Sequence, residues 1–467
     1  MAARFAALLT LVFLWERASS TFGKDVESRS GSAQVADIVV AADGSGDFTT
    51  VAAALKSIPR ANRERKIVLV KQGTYQEKVR IEAACVTLLG EGRDATRIEF
   101  SLLNDEFIAK PDAIGRAVVN VAADDFVLEN ITVANTAGVV GQHAFAVYGD
   151  HCDRTVIVDC DVLSDGADTL SLWDGKRGRY YHARCKIRGA VDFVCPRGWC
   201  YLRDCTFYET KTSAAMWHDG HQDRDMKFVL RNCTFDGVPG WSLARHHADA
   251  ALYFLDCQFS KSMIDKPPKR VVYPLGSAPA TQADLDKNRE LDAKNQWGER
   301  AYFFHCQRAG GDFPWFADNL TDAPDKPTAE QITAKWTFRG GWDPESTAGP
   351  RIEQFAIGQD DVTIQLSEPV TVKGKPIVML SAGGAASYSG GSGTSTLTFS
   401  EPGVHAGVKF VSLDLNGGRI IASQASAAIR DAVVTLPQDG DKSCARRLRQ
   451  FMTSLDAATD PRRPPPR

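Results

Sequence analysis

Along the middle of the chain, short runs of β-branched and aromatic residues alternate with Gly, Asp and Asn. Six of these runs end alike: TVIVDC at Cys160, YYHARC at Cys185, CYLRDC at Cys205, FVLRNC at Cys233, LYFLDC at Cys257 and AYFFHC at Cys306. Apolar runs this short, bounded by turn formers, read as strands. Their recurrence every ~20–28 residues, with one longer gap before Cys306, marks a solenoid. The run FVLENITV at residues 126–133 has the same shape one coil earlier, and in that frame Asn130 stands where the others carry Cys. A single coil cannot bury its inner face alone, whereas stacked coils can, so identical positions should form an internal ladder. Helical patterns long enough for an alternating α/β fold do not occur between the strands. The expected fold class is therefore all-β, a right-handed parallel β-helix (solenoid) over residues 35–345. Residues 48–58 read as a helix that would cap the open end of the solenoid, where strand edges are otherwise exposed.

After GGWDP at residues 340–344 the pattern changes. From 351 to 437, segments such as VTIQLSEPVTV, KPIVMLS, STLTFSE and KFVSLDL alternate apolar and polar residues between Gly-rich turns. Such alternation predicts a small antiparallel β-sandwich, expected to fold independently of the solenoid. The charged segment 438–467, ending PRRPPPR, reads as a disordered tail. At the other end, Arg4 precedes an apolar run over residues 5–15 and the small residues Ala18, Ser19 and Ser20. That pattern predicts a signal peptide over residues 1–22 and a secreted protein, extracellular or periplasmic. The run is too short for a membrane span.

Composition narrows the chemistry. Apolar residues make up 43% and charged residues 24% of 467, which suits a chain that buries a core. A net charge of −3 leaves no basic footprint for nucleic acid. Eleven cysteines in an exported protein would ordinarily suggest disulfides. Their repeated place at strand ends suggests instead a ladder of free, buried thiols. No CxxC or HxxxH pairing is present, so no metal site is expected.

The segments VAADGSGDFTTVAAAL, QGTYQEKV, TLLGEG and FVLENITVANTAG, followed by GQHAFAVYGD, GADTL, GAVDFV and LAR, run in order over residues 40–245. Taken together they resemble the pectin methylesterase (pectinesterase) family, whose fold is the parallel β-helix. The text SEPVTVKGKPIVML…GGSGTSTLTFSE at 367–401 resembles bacterial immunoglobulin-like repeats and speaks to fold more than to function.

The resemblance implies hydrolysis of methyl esters of polygalacturonate, with pectin or a related esterified uronate polysaccharide as substrate and no cofactor. It places Asp192 as nucleophile, Asp168 as general acid and base, Gln142 as oxyanion donor, and Arg245 as partner of Asp192. The chemistry calls for these residue types in its own right. A carboxylate nucleophile must be ionised while a second carboxyl gives and takes a proton, and an adjacent Arg decides which of the two stays charged. Without the surrounding text, an Asp beside a solenoid turn reads equally well as a side-chain cap.

Three departures touch the expected site. Ala167 stands where the family has a second Gln. DFVCPRG, with Cys195 and Pro196, replaces an aromatic wall, and His247 replaces a Trp that lines the sugar subsite. Arg197, Trp199 and His247, with Trp217 and His246 nearby, could rebuild a substrate-binding surface, because aromatic faces and guanidinium forks suit sugars and uronates. Two other functions stay open on these residues. One is a non-catalytic carbohydrate-binding surface protein, which the loss at Ala167 would fit. The other is a β-helix glycosidase, which also works with two carboxylates. A monomer is expected.

Overall fold

A computed structural model describes residues 36–432, apart from 221–222, 382–383, 403–407, 409 and 429. The signal-peptide and tail expectations lie outside the described residues.

Among the described residues, every strand pairing between residues 38 and 308 is parallel, which gives the stacked coils of a β-helix. One sheet runs from Ile38–Val40 through Lys66–Val70, Val86–Gly90, Val127–Glu129, Thr155–Val158, Leu170–Ala183 and Arg197–Arg203 to Phe228–Arg231, Leu252–Leu255 and Ala301–Phe304. A second runs from Gly73–Gln76 through Thr132–Asn135, Asp161–Ala167, Lys186–Ala190 and Thr206–Glu209 to Gln307–Arg308. A third, shorter sheet joins Ala214–His218, Ser242–His246 and Lys269–Arg270.

The corner between the first two sheets explains the repeated cysteine. Each residue before it is left-handed: Asp159 (φ 53°), Arg184 (54°), Asp204 (54°), Asn232 (52°), Asp256 (54°) and His305 (49°). That turn aims the following Cys inward. The thiols of Cys160, Cys185, Cys257 and Cys306 lie 3.6, 3.4, 3.5 and 3.4 Å from carbonyl oxygens of the coil before. The six cysteines of the repeated corners are free and buried, as the ladder reading expected.

Asn130 corrects that reading by one residue. Thr132 pairs with Asp161, which puts Asn130 opposite Asp159 and Ile131 opposite Cys160. Asn130 takes the left-handed corner (φ 56°), a conformation Asn tolerates well, and the fully buried Ile131 points inward.

Aromatic side chains extend the internal ladder. Phe254 and Phe303 stack at 5.2 Å on neighbouring coils, and full burial of one such side chain stabilises by about 1.5–3 kcal/mol. The helix Val51–Ser57 begins at Thr50, whose hydroxyl accepts from the Ala53 N–H, and it buries Val51, Ala54 and Leu55 against the first coils, as the capping expectation required.

Beyond residue 350 the pairing becomes antiparallel. Strands Ile352–Ile357, Asp361–Lys373, Ile377–Leu380, Ala385–Gly390, Thr394–Ser400, Phe410–Asp414 and Arg419–Ala422 enclose a core of Val362, Ile364, Val378, Leu397 and Phe399. This unit is braced against the β-helix. Arg65, only 3% exposed, donates to the carbonyls of Asp125 (2.6 Å) and Ser423 (2.5 Å), and its own N–H donates to Thr371 Oγ1 (2.6 Å). Trp342 Nε1 donates to the Ala425 carbonyl at 2.8 Å. Separating the two parts would strand a buried guanidinium.

Candidate active site

Asp168 and Asp192 close equivalent strands on successive coils. Ala167 at the end of Asp161–Ala167 pairs with Ala190 at the end of Lys186–Ala190. The Asp168 N–H then donates to the Val191 carbonyl (3.2 Å), and the Asp192 N–H to the Ala214 carbonyl (2.7 Å). Both aspartates are left-handed, at φ 58° and 56°. Asp accepts that region, but Val191 (φ 40°) is β-branched and strained there, at a cost of about 1–3 kcal/mol. That turn stands directly before Asp192, whose negative charge acts on the Asp168 carboxyl of the coil before. Gly166 lets the previous coil approach that face, since a Cβ there would meet the Gln142 carbonyl oxygen at 2.4 Å.

Arg245 separates the roles of the two acids. Its Nε donates to Asp192 Oδ1 at 2.8 Å and its Nη2 to Oδ2 at 2.7 Å, a two-pronged pair that favours the ionised form. Burial raises the Asp192 carboxyl, and the hydrogen bonds and charge of Arg245 oppose that rise. Asp168 lacks such a fork. Burial, reinforced by the negative charge of Asp192, pushes it up to about 7. The Cys195 thiol hydrogen-bonds Asp168, and burial keeps that thiol protonated. One acid is thus prepared to attack and the other to exchange a proton near neutrality.

A cationic and aromatic flank adjoins the pair. The Arg197 guanidinium lies against the ring of Trp173 and 4.8 Å from the ring centre of Trp217. His247 meets Trp217 edge-on at 5.7 Å, and its Nε2 lies 3.4 Å from the Tyr273 hydroxyl. Burial pushes His247 down to about 4, so its ring is neutral at ordinary pH.

Two of the expected residues stand elsewhere. Trp199 is buried on the outer side of the coils, where its Nε1 donates to the Asp225 carbonyl at 3.1 Å under the guanidinium of Arg339. Arg197 pairs with Trp173 and Gly198 with Gly178, so the register shifts on the neighbouring strand where the chain passes from Arg197 to Trp199. His246 is buried between the Ala248 carbonyl and Glu299 and faces away from the acids. Gln142 lies at the rim. Its carbonyl accepts the Ala167 N–H at 2.7 Å, while its exposed side chain makes no hydrogen bond among the described residues.

The residue bridged to Ala167 is His143, whose Nε2 is 4.0 Å from Asp168 Oδ2. His143, Trp173 and Tyr273 escaped the sequence reading. Reading GQHAFAVYGD one residue later would have placed His143 at the head of the segment, but nothing local marks Trp173 or Tyr273.

Residues 37–260 match the family model described as Pectinesterase. That match is a similarity to the pectinesterase family over somewhat less than half of the chain. A probable pectinesterase/pectinesterase inhibitor of Arabidopsis thaliana is 33% identical over 215 residues, covering 44% of this chain and 36% of that protein. A pectinesterase of Petunia integrifolia is 32% identical over 203 residues, covering 42% of this chain and 52% of the relative. The chain thus spans about a third to a half of the length of these pectinesterases. The pectin methylesterase from carrot has the same fold, with a TM-score of 0.52 at 21% identity over 67% of this chain and 95% of that one. For PemA of Erwinia chrysanthemi, also a pectin methylesterase, the TM-score is 0.51 at 18% identity, covering 67% and 99%.

Proposed function

We propose that this protein is a carbohydrate esterase that removes methyl groups from methyl-esterified polygalacturonate through an aspartate nucleophile. The observation that carries the reading is the unequal pair of acids, Asp192 held by the Arg245 fork and Asp168 pushed up to about 7. Asp192 attacks the ester carbonyl carbon and a C–O bond forms. As the tetrahedral intermediate collapses, the bond to the methoxy group breaks and Asp168 gives methanol its proton. Water then attacks the acyl-enzyme, Asp168 takes a proton from it, and Asp192 leaves as carboxylate, so that the free uronate is released. The chemistry uses only groups of the chain.

Arg197 and His247 would bind the substrate beside the scissile ester. The guanidinium, flattened against Trp173 and near Trp217, suits the carboxylate of a neighbouring demethylated uronate. A monomer suffices, because acids, fork and flank come from one chain. The export signal expected at the N-terminus would bring the enzyme to extracellular polysaccharide, and the braced C-terminal unit would act as an immunoglobulin-like spacer. Ala167, which offers only a methyl group to the site, favours a second reading as a carbohydrate-binding surface protein without turnover. Incubation with highly methylated pectin separates the readings: methanol release supports the esterase, and tight binding without methanol supports the second. New reducing ends without methanol would instead indicate a glycosidase.

A further inference from the structure

Deepening the esterase reading and resting on it, we infer that His143 is the oxyanion donor of this site, in the place that Ala167 leaves without a polar group. His143 and Ala167 are bridge partners on adjacent coils, so their side chains project from neighbouring points on the same ladder as the acids. Ala167 is 1% exposed and ends in a methyl group, while the side chain of His143 is 56% exposed above it and open to substrate. The ring is steadied by a stack on Phe145, at 6.2 Å between centres with 28° between planes.

The spacing fits a substrate atom between the residues. His143 Nε2 and Asp168 Oδ2 are 4.0 Å apart, too far for a direct hydrogen bond. An oxygen about 2.8 Å from each can still be accommodated between them. An ester whose carbonyl carbon faces Asp192 and whose methoxy oxygen faces Asp168 would direct its carbonyl oxygen to this rim. As Asp192 forms its bond to that carbon, the carbonyl π pair moves onto oxygen, and the Nε2–H donates to the resulting oxyanion. When the intermediate collapses the pair returns, the methoxy group leaves with the proton from Asp168, and His143 keeps its own proton throughout. Neutral and cationic imidazole alike can present an N–H there.

His143→Ala, His143→Gln and Asp192→Asn, compared with the wild-type chain for methanol release from methylated pectin, test the assignment. Loss of one oxyanion donor typically lowers kcat by about 100- to 1,000-fold. His143→Ala should fall by that much with KM nearly unchanged, and His143→Gln, which restores a neutral N–H, should recover at least about tenfold of the loss. The exposed position of the side chain predicts unaltered thermal unfolding in both variants. If His143→Ala stays within about threefold of wild type while Asp192→Asn is inactive, the assignment is wrong and the esterase reading survives. A rise in KM with kcat unchanged would also overturn it, since His143 would then only bind the ground state. If the wild-type chain releases no methanol from any ester, both fall together.

Discussion

Replacing Asp168 with Asn should make the protein more stable as it destroys turnover, and the gain should depend on pH. The carboxyl has an ordinary value of 3.8 and is pushed up to about 7 by burial and by the charge of Asp192. A folded-state value above the unfolded one means that Asp168 does not oppose folding below about pH 3.8. Its penalty then grows as pH rises and is complete above about 7. At about 1.4 kcal/mol per pH unit the ceiling is about 4 kcal/mol. The side chain is 23% exposed, and solvent screening brings the expected penalty to about 2 kcal/mol. Asn has the same shape and no charge to bury. Urea unfolding at pH 3.5 and pH 8 measures the difference through the midpoint, provided that the slope m is unchanged. The variant should match wild type at pH 3.5 and exceed it by about 2 kcal/mol at pH 8, while kcat falls by about 100- to 10,000-fold. A variant whose gain over wild type is no larger at pH 8 than at pH 3.5 would refute the raised carboxyl, and with it the assignment of Asp168 as the acid.

The pH profile of kcat/KM should show a basic limb near 7, where the pair loses the proton that methanol must receive, with macroscopic values belonging to both acids; a flat profile from pH 5 to 9 would contradict this. Arg65→Ala should destabilise the chain by about 3–5 kcal/mol in thermal or urea unfolding, because it removes a buried guanidinium and leaves the Asp125 and Ser423 carbonyls unpaired; a loss under about 0.5 kcal/mol would show that the seam is not braced. Trp199→Phe should leave KM for pectin within about twofold, since Trp199 lies on the outer side of the coils, whereas Arg197→Ala should raise KM by about tenfold or more. Steady-state kinetics on pectin of intermediate methylation reads both.

Much of this was legible in the chain because the coils repeat. Strand, corner and inward residue recur together, so the β-helix and the buried thiols follow from the repeat, whereas Asp168, Asp192 and Arg245 were marked by the resemblance to the pectinesterase family. Where the reading slipped, it slipped by a single residue. Asn130 was placed one position from the residue that points inside the coil, Ile131, and the residue bridged to Ala167 beside Asp168 is His143, next in the chain to Gln142. In parallel stacking, register is set by hydrogen bonds between coils, and a one-residue shift exchanges the two faces. Trp199 lies by Asp225 and Arg339, apart from Arg197, at a place where the neighbouring strand shifts register between Trp173 and Gly178, which the local text does not show. The brace at Arg65 had no local signal at all: its partner Ser423 lies 358 residues away.

The central claim is that Asp192 attacks the ester as a carboxylate held by Arg245. The most direct measurement is methanol released from highly methylated pectin by the wild-type chain and by Asp192→Asn, with pectin affinity measured on both. The account predicts methanol from wild type, none above background from Asp192→Asn, and nearly equal affinity for the polymer. Substantial methanol from Asp192→Asn would contradict it.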